Sequence, residues 1–309
     1  MTLPVCRAAE LEARPEARRW LVEELWADEA VGIVGGEPKC GKSFLALDLA
    51  VAVASGAPAL RRFPVPRPGP VVLFAAEDAL HIVRARLCDI AHAVGVDFDR
   101  LDVHVITRPV LRLDLDVDRA LLRDITGQIE PRLVVLDPFV RLHRIDENVA
   151  GEVAPLLAFL RPLQRRFQTA VLLVHHARKG GPGQRAGQAL RGSSELHAWG
   201  DSNLYLHRTP DAITLTIEHR AAPGQGPIAL ELCGGAGLSV RTTPAPPSNP
   251  HPNDPAHRVR DALASVARPL TRSELRDVCQ MRTQTLGQVL TRMVDRGDLV
   301  RHGDRYALA

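Results

Sequence analysis

The most constraining feature of this chain is an eight-residue segment, from Gly36 to Ser43, that reads Gly-Glu-Pro-Lys-Cys-Gly-Lys-Ser. The apolar run 31–34 precedes it, and the pattern of a buried helix, from Lys42 to Ser55, follows it. Glycines at this spacing let backbone N–H groups surround phosphate oxygens, and the helix N-terminus adds a positive dipole. The sequence therefore predicts a strand, a phosphate-binding loop and a helix, in that order.

Two residues of this segment have specific chemical roles in a nucleoside triphosphate site. Lys42 is expected to reach the β- and γ-phosphates, and Ser43 is expected to place its hydroxyl on Mg²⁺. The predicted nucleotide contacts are Gly36, Glu37, Pro38, Lys39, Cys40, Gly41, Lys42, Ser43 and Phe44. A chance match in a glycine-rich turn is the alternative, but it does not account for the strand before the loop and the helix after it.

The length and composition are those of an ordinary globular protein with more than one domain. The chain has 309 residues, of which 45% are hydrophobic and 24% are charged. A membrane protein is not expected, because Asp48 interrupts the longest apolar stretch. The N-terminus lacks the pattern of a signal peptide, and five cysteines without CxxC spacing predict reduced thiols in the cytoplasm.

Apolar strands alternate with helical patterns through much of the chain. Strands are predicted at 30–35, 71–76, 103–106, 133–137 and 169–174, with helices at 42–55, 79–94, 117–129 and 150–166 between them. This alternation is typical of a parallel sheet that helices cover on both faces. From residue 202 onward, three consecutive short strands predict an antiparallel extension. The predicted fold class is α/β.

Four segments follow from these patterns. Residues 1–28 predict an amphipathic helical segment, which either covers the edge of the sheet or binds a partner. The α/β domain spans 29–242. Six prolines within residues 244–255 make 243–255 a stiff linker, so 256–309 is predicted to be a separate small domain.

The small domain has the pattern of three helices followed by a hairpin. Its second helix begins at a capping sequence, Thr271 to Glu274. This order resembles a winged helix-turn-helix, whose outward face would present Arg282, Thr283 and Gln284 to DNA. The segment carries ten arginines against six acidic residues, which favours DNA. A winged helix that contacts protein is the alternative.

Polar residues follow the predicted parallel strands, at the edge where such sheets gather their functional groups. Asp137 is expected to hold Mg²⁺ through water, and Glu77 to orient and deprotonate the attacking water. Asp78 is predicted to be the N-cap of the next helix. His175 and His176 close the fifth strand. Because adjacent side chains on a strand face opposite ways, only one of them is expected to touch the γ-phosphate.

The segment after these histidines, 177–194, combines flexibility with positive charge. It has five glycines and no acidic residue, and its basic residues are Arg178, Lys179, Arg185 and Arg191. A flexible linker would explain the glycines alone. A basic loop attached directly to a phosphate-sensing strand is better explained as an ATP-gated contact with nucleic acid.

The chain resembles the RecA-like ATPases of the plasmid RepA type, which are hexameric replicative helicases, over about residues 29–233. The resemblance is carried by the segments GEPKCGKS, AAED, LVVLDPF, DEN (146–148), LLVHHARKG and RGSS. It implies that Lys42 and Ser43 bind phosphate and Mg²⁺. It also implies that Glu77 is the catalytic carboxylate, Asp137 the metal-linked acid and His175 the sensor of the γ-phosphate.

The resemblance also implies a homo-oligomer, with six subunits as the family expectation, and an arginine finger supplied by the adjacent subunit. Many family members carry this finger in a Lys-x-Arg pattern at the end of a late strand. The corresponding place here reads Glu218-His219-Arg220, so Arg220 fits but the lysine is missing. Arg208 is the second candidate.

The full prediction is a RecA-like P-loop ATPase with an antiparallel extension and a small C-terminal winged helix-turn-helix domain. Its expected cofactors are ATP and Mg²⁺, and its expected partner is single-stranded DNA, with duplex DNA as a further partner of the winged helix. Three functions stay open: a helicase or translocase, a DNA-bound ATP switch that recruits other proteins, and a recombinase-like filament. Strand displacement would select the first of them.

Overall fold

The computed structural model describes residues 3, 5–11, 19–147, 149–176, 194–210, 212–233, 237–241, 255–266, 268–279, 281, 283–295 and 298–308. The chain divides into two compact units, Met1–Thr242 and Thr243–Ala309. Each unit has an apolar core of its own. Among the described residues, no helix is both long enough and apolar enough to cross a membrane.

The first unit alternates strands and helices as the sequence predicts. Its elements are β1 (Trp20–Val22), β2 (Trp26–Ala27), β3 (Val31–Gly36), α1 (Lys42–Ser55), β4 (Val71–Ala75), α2 (Leu80–Ala93), β5 (Val103–Val105), α3 (Asp116–Ile129), β6 (Leu133–Asp137), α4 (Ala150–Phe167), β7 (Ala170–His176), α5 (Ser194–Trp199), β8 (Ser202–Arg208), β9 (Ile213–His219), β10 (Gln225–Leu232) and β11 (Leu238–Val240). Of these, β1, β2, α5 and β11 have no counterpart in the sequence prediction.

Nine of these strands form the main sheet, in the order β11-β10-β9-β8-β3-β7-β6-β4-β5. The six strands from β8 to β5 are parallel, and β9, β10 and β11 extend them in antiparallel fashion. The antiparallel assignment of β8 is wrong on one side, because β8 pairs in parallel with β3 from Val34–Leu204 to Gly36–Leu206. The strand that leads into the phosphate loop is therefore flanked on both sides.

The two faces of the sheet bury two separate apolar clusters. Along β7, Leu172 and Val174 pack in the cluster that includes α1, whereas Val171 and Leu173 pack in the cluster that includes α4. Side chains alternate between faces along a strand, so a strand covered on both sides must be apolar at every position. The same alternation decides which way the two histidines at the end of β7 point.

The helix predicted for residues 1–28 is wrong for the part that carries the tryptophans. Residues 20–27 form a small antiparallel hairpin of β1 and β2, in which Leu21, Leu25 and Trp26 are buried. Two backbone donors of the hairpin bind acceptors elsewhere in the unit. The Glu23 N–H donates to the Pro64 carbonyl at 2.9 Å, and the Ala27 N–H donates to Ser202 Oγ at 3.0 Å. These tertiary hydrogen bonds replace the ones that a helix would make within itself.

Helix α4 contains two prolines, Pro155 and Pro162, in its interior. An interior proline costs a helix roughly 3 kcal/mol relative to alanine, since it removes a backbone donor and its ring clashes with the preceding turn. The helix persists because its other face buries Val153, Leu156 and Leu160 completely. Packing against the sheet thus outweighs a strongly unfavourable local sequence.

The second unit contains the three helices and the hairpin that the sequence predicts. Its elements are α6 (Pro255–Val266), β12 (Leu270–Thr271), α7 (Arg272–Cys279), α8 (Thr283–Asp295), β13 (Leu299–His302) and β14 (Arg305–Leu308). The capping sequence forms as expected: the Thr271 N–H donates to Glu274 Oε2 at 2.7 Å, and the Glu274 N–H donates to Thr271 Oγ1 at 3.3 Å. The unpredicted strand β12 joins the hairpin in the sheet order β12-β14-β13.

Candidate nucleotide site

The segment between β3 and α1 adopts a loop that only glycine permits at two positions. Gly36 has φ +156° and Gly41 has φ +99°. A Cβ on Gly36 would lie 2.4 Å from the Leu206 carbonyl oxygen of β8. The loop can therefore close tightly over the end of the sheet because both positions lack a side chain.

Lys42 directs its ammonium group into this loop. Its Nζ donates to the carbonyls of Gly36, at 3.0 Å, and Glu37, at 2.8 Å, and the side chain is buried. Burial lowers the pKa of Lys42, and the nearby charges of Asp137 and Glu77 oppose that effect. A buried ammonium held by neutral carbonyls is suited to bind a polyanion, whose oxygens would replace these acceptors.

Ser43 and Asp137 meet beside this lysine. The Ser43 hydroxyl lies near the Asp137 carboxylate at the end of β6. Burial raises the pKa of Asp137 to about 6, an effect that the nearby Ser43 hydroxyl opposes and the charges of Glu77 and Asp78 reinforce. A hydroxyl and a carboxylate at this place are the hard oxygen ligands that Mg²⁺ prefers, so these residues fit the metal that a phosphate loop implies.

A pocket of about 500 Å³ opens over these residues. Most of the predicted nucleotide contacts line it, together with the ends of β4, β6 and β7. The lining residues are Pro38, Lys39, Gly41, Lys42, Ser43, Phe44, Ala75, Glu77, Asp78, Arg86, Asp137, His176, Arg208, Ile213 and Leu232. Gly36 and Glu37 do not line the pocket, but their carbonyls accept hydrogen bonds from Lys42. Cys40 is buried in the core beneath the loop.

Glu77 reaches the pocket just beyond the end of β4. Its carboxylate lies 3.4 Å from Arg141 Nε and 3.9 Å from His176 Nε2. Arg141 donates to this carboxylate and can orient it without blocking it, since the Glu77 side chain stays 46% exposed. The geometry is that of a carboxylate held at the mouth of a phosphate site.

Asp78 does not cap the following helix, so that prediction is wrong. The N-cap of α2 is Ala79, and no side chain caps it. Asp78 instead pairs with Arg86 of α2, whose guanidinium carbon lies 5.0 Å from the ring centre of Phe44. Together, Asp78, Arg86 and Phe44 form one wall of the pocket. Because these three side chains come together only in the folded protein, no local sequence pattern identifies Arg86 as part of the pocket.

The two histidines of β7 point in opposite directions. His176 lines the pocket, on the side of the sheet that carries α1. His175, the residue that the resemblance assigns as sensor, is buried on the other side, where its Nδ1 lies 3.8 Å from Glu147 Oε2. Burial lowers the pKa of both histidines, which favours neutral rings at pH 7. Sequence reasoning predicts that only one of the two histidines reaches the site, and in the fold the histidine that lines the pocket is His176.

The two finger candidates lie at opposite ends of the sheet. Arg208, at the end of β8, lines the pocket and donates through Nη1 to the Lys39 carbonyl at 3.0 Å. Arg220 follows β9 near the start of β3, where it pairs with Asp201 at 3.4 Å and also donates to the Ala198 carbonyl. The structure therefore brings Arg208 to the chain's own nucleotide site and does not bring Arg220 there.

The predicted DNA contacts fall largely outside the described residues. Arg178, Lys179, Arg185 and Arg191 belong to the segment 177–193, and Arg282 is likewise outside the described part. Thr283 and Gln284 begin α8, but their side chains are not described.

Comparisons with known proteins agree with this architecture. A family model described as an AAA domain matches residues 2–182. The structure is similar to that of the RadB recombinase, with a TM-score of 0.51 and 16% identity over 69% of this chain and 91% of that one. It is also similar to a DnaB-like replicative helicase, with a TM-score of 0.54 and 14% identity over 69% of this chain and 57% of that one.

Identities this low bear on the fold alone, and the fold is that of an α/β RecA-like P-loop ATPase whose parallel sheet carries antiparallel strands. The AAA domain model covers more than half of the sequence. The chain accordingly belongs to the AAA domain family.

Proposed function

We propose that this protein hydrolyses ATP with Mg²⁺ and couples hydrolysis to single-stranded DNA, as a helicase or translocase of the RepA-like type. The observation that carries the ATPase is the convergence of Lys42, Asp137 and Glu77 on one pocket at the carboxyl edge of the parallel strands. The coupling to DNA is supported by the resemblance in sequence and by the basic composition of 177–193.

In this proposal each residue of the pocket has one role. Lys42 would exchange its carbonyl partners for phosphate oxygens, and Ser43 and Asp137 would hold Mg²⁺, which would neutralise phosphate charge when bound. Glu77 orients the attacking water and accepts its proton, while Arg141, whose Nε donates to that carboxylate at 3.4 Å, orients it. His176, which lines the pocket, takes the sensing role that the resemblance assigns to His175.

Two substitutions test the ATPase assignment, because they should separate binding from turnover. Lys42→Ala removes a phosphate contact and should weaken both the binding of a fluorescent ATP analogue and the release of phosphate. Glu77→Gln keeps the shape of the side chain but loses the base, so ATP should bind and persist uncleaved. Turnover by Glu77→Gln near the wild-type rate would contradict the role of Glu77 and direct attention to Asp78.

A homo-oligomer, hexameric in the RepA-like case, would complete the site with an arginine from the adjacent subunit. We assign this role to Arg220, because Arg208 already contacts the phosphate loop of its own chain. Subunits that carry Arg220→Ala, mixed with subunits that carry Lys42→Ala, should regain part of the activity, since some interfaces then pair an intact loop with an intact arginine. Normal assembly without recovery at any mixing ratio would contradict the assignment.

We further propose that the second unit is a winged helix that binds duplex DNA independently of ATP. Its order of three helices and a hairpin supports this, but several of its charges are already paired. Ion pairs join Arg260 to Asp298 at 3.0 Å and Arg268 to Glu274 at 2.9 Å. DNA binding should therefore depend on α8 and on Arg282 at its start. Removal of 243–309 should abolish duplex binding and spare ATPase stimulation by single strands.

Charge removal at Arg178, Lys179, Arg185 and Arg191 should have the reverse effect. This variant should lose stimulation by single strands and keep duplex binding. The opposite pattern in the two proteins would mean that the two DNA contacts have been exchanged.

A recombinase-like filament or a DNA-bound switch is the second candidate, and the similarity to the RadB recombinase over 91% of that chain favours it. An ATPase assay with single-stranded DNA, combined with a strand-displacement readout, separates the two. Displacement supports the motor. Stimulation without displacement supports the filament or the switch.

A further inference from the structure

A groove on the first unit lies between α3 and α4, and it shares no lining residue with the nucleotide pocket. Its volume is about 790 Å³, which exceeds that of the nucleotide pocket. Its apolar floor includes Ala158 and Leu163 of α4, and its walls carry arginines from both helices and two phenylalanines of α4. Nothing in the ATPase assignment gives this groove a role.

Positive charge is concentrated along the groove. Arg119 and Arg123 lie one turn apart on α3, with their guanidinium carbons 5.6 and 5.8 Å from the ring centre of Phe159. Arg166 lies in the same way over Phe167, at 5.2 Å. Arg119 pairs with Asp116 at 3.3 Å, but within the described part of the chain no carboxylate lies at ion-pair distance from Arg123 or Arg166. The groove therefore presents two uncompensated, pre-oriented guanidinium groups.

The two interior prolines of α4 line the same groove. Pro155 and Pro162 are seven residues apart, hence on one side of the helix, and both are exposed. Neither ring packs in the core, so they weaken the helix without serving the fold. The carbonyl of Ala158 also cannot accept the usual helical hydrogen bond, because residue 162 has no N–H. Residues that cost stability and face solvent in a groove indicate a contact surface.

We propose that this groove binds an acidic amphipathic helix of a partner protein. A helix can place its apolar side chains on the floor and prolines, while its carboxylates form bidentate pairs with Arg123 and Arg166. The phenylalanine rings already carry arginines, which leaves little aromatic surface for nucleobases. The apolar floor and the arginines on the walls of the groove together fit a protein helix better than a nucleic acid.

The test uses full-length protein and a pair of fluorescein-labelled helical peptides of about 18 residues, the length of α4. One peptide carries a leucine and phenylalanine stripe flanked by glutamates, and the other replaces every glutamate with lysine. Fluorescence anisotropy should show the acidic peptide binding wild-type protein at least tenfold more tightly than the basic one. The variant R123E/R166E should reverse this preference.

The matched control is R62E/R84E, which makes the same charge change at two exposed arginines that lie over Phe63 and Phe98, outside the groove. It should keep the wild-type preference, and circular dichroism should show that both variants are folded. Equal binding of the two peptides to wild-type protein, or an equal loss in both variants, would overturn the proposal.

Two further results would assign the groove to another occupant and also overturn the proposal. One is a loss of single-stranded DNA binding by R123E/R166E with peptide binding intact. The other is a fall in the oligomer mass of that variant in light scattering, which would make the groove a self-interface.

Discussion

Replacing Asp48 with asparagine should remove a large pH dependence from the stability of this protein. Asp48 lies in the middle of α1, the helix that begins at Lys42, and its side chain is buried. Its Oδ1 accepts a hydrogen bond from the Leu60 N–H at 2.6 Å, which asparagine can preserve through its own carbonyl oxygen. The charge of Arg61 also favours the ionised form of Asp48, but burial outweighs both effects.

The magnitude follows from the pKa of this carboxyl group. Burial raises the pKa of Asp48 from 3.8 to about 7. Between these values the folded protein holds a proton that the unfolded chain has released, so the free energy of unfolding falls as pH rises and levels off above pH 7. With ~1.4 kcal/mol for each pKa unit, the total loss is about 4 kcal/mol, of which about 2.5 kcal/mol falls between pH 5 and pH 8.

Urea unfolding followed by circular dichroism, at pH 5 and pH 8, measures this effect in wild-type protein and in Asp48→Asn. The stability difference between the two proteins should shift by about 2.5 kcal/mol in favour of the variant at the higher pH. Asp89→Asn, at an exposed position of the neighbouring helix α2, controls for the loss of one carboxylate. Parallel pH profiles for wild type and Asp48→Asn would refute the reasoning, because Asp48 would then be ionised in the folded state.

Two further substitutions test the stability of the fold, one at a close contact between strands and one at a helix N-cap. Gly32→Ala should prevent β3 from pairing normally and leave little folded protein in a thermal melt, because the added Cβ would lie 1.7 Å from the Ser202 carbonyl oxygen; near-wild-type melting would contradict this. Thr271→Ala removes the N-cap of α7 and should destabilise the second unit by ~1 kcal/mol in urea unfolding, while Thr271→Ser should retain most of that stability.

The pocket predicts a third effect, on nucleotide affinity. Arg208→Ala should weaken binding of an ATP analogue even at dilutions where subunits separate, because Arg208 lies in its own chain's site. A loss confined to the assembled protein would show that Arg208 acts on a neighbouring subunit.

The sequence by itself determined the α/β fold and the centre of the nucleotide site. Strands β3, β4, β6 and β7 have no polar side chain before their carboxyl ends because helices cover both faces of the sheet, and that pattern is visible without coordinates. The phosphate loop can also be recognised from local sequence, because its glycines, Lys42 and Ser43 lie within eight consecutive residues. Asp137 and Glu77 follow from the rule that the carboxyl ends of parallel strands share an edge.

Tertiary structure alone decided the features that depend on which element packs against which. Alternation along β7 requires its two histidines to point apart, but only the position of α1 identifies the face of His176. Asp78 is a residue type that commonly caps helices, yet here its carboxylate forms an ion pair with Arg86 from a later turn of α2. The hairpin at residues 20–27 likewise arises because distant acceptors, Pro64 and Ser202, take its backbone donors. The acceptors of the hairpin are remote in sequence, and Arg86 lies eight residues beyond Asp78, so none of these partners falls within a local capping or hairpin pattern.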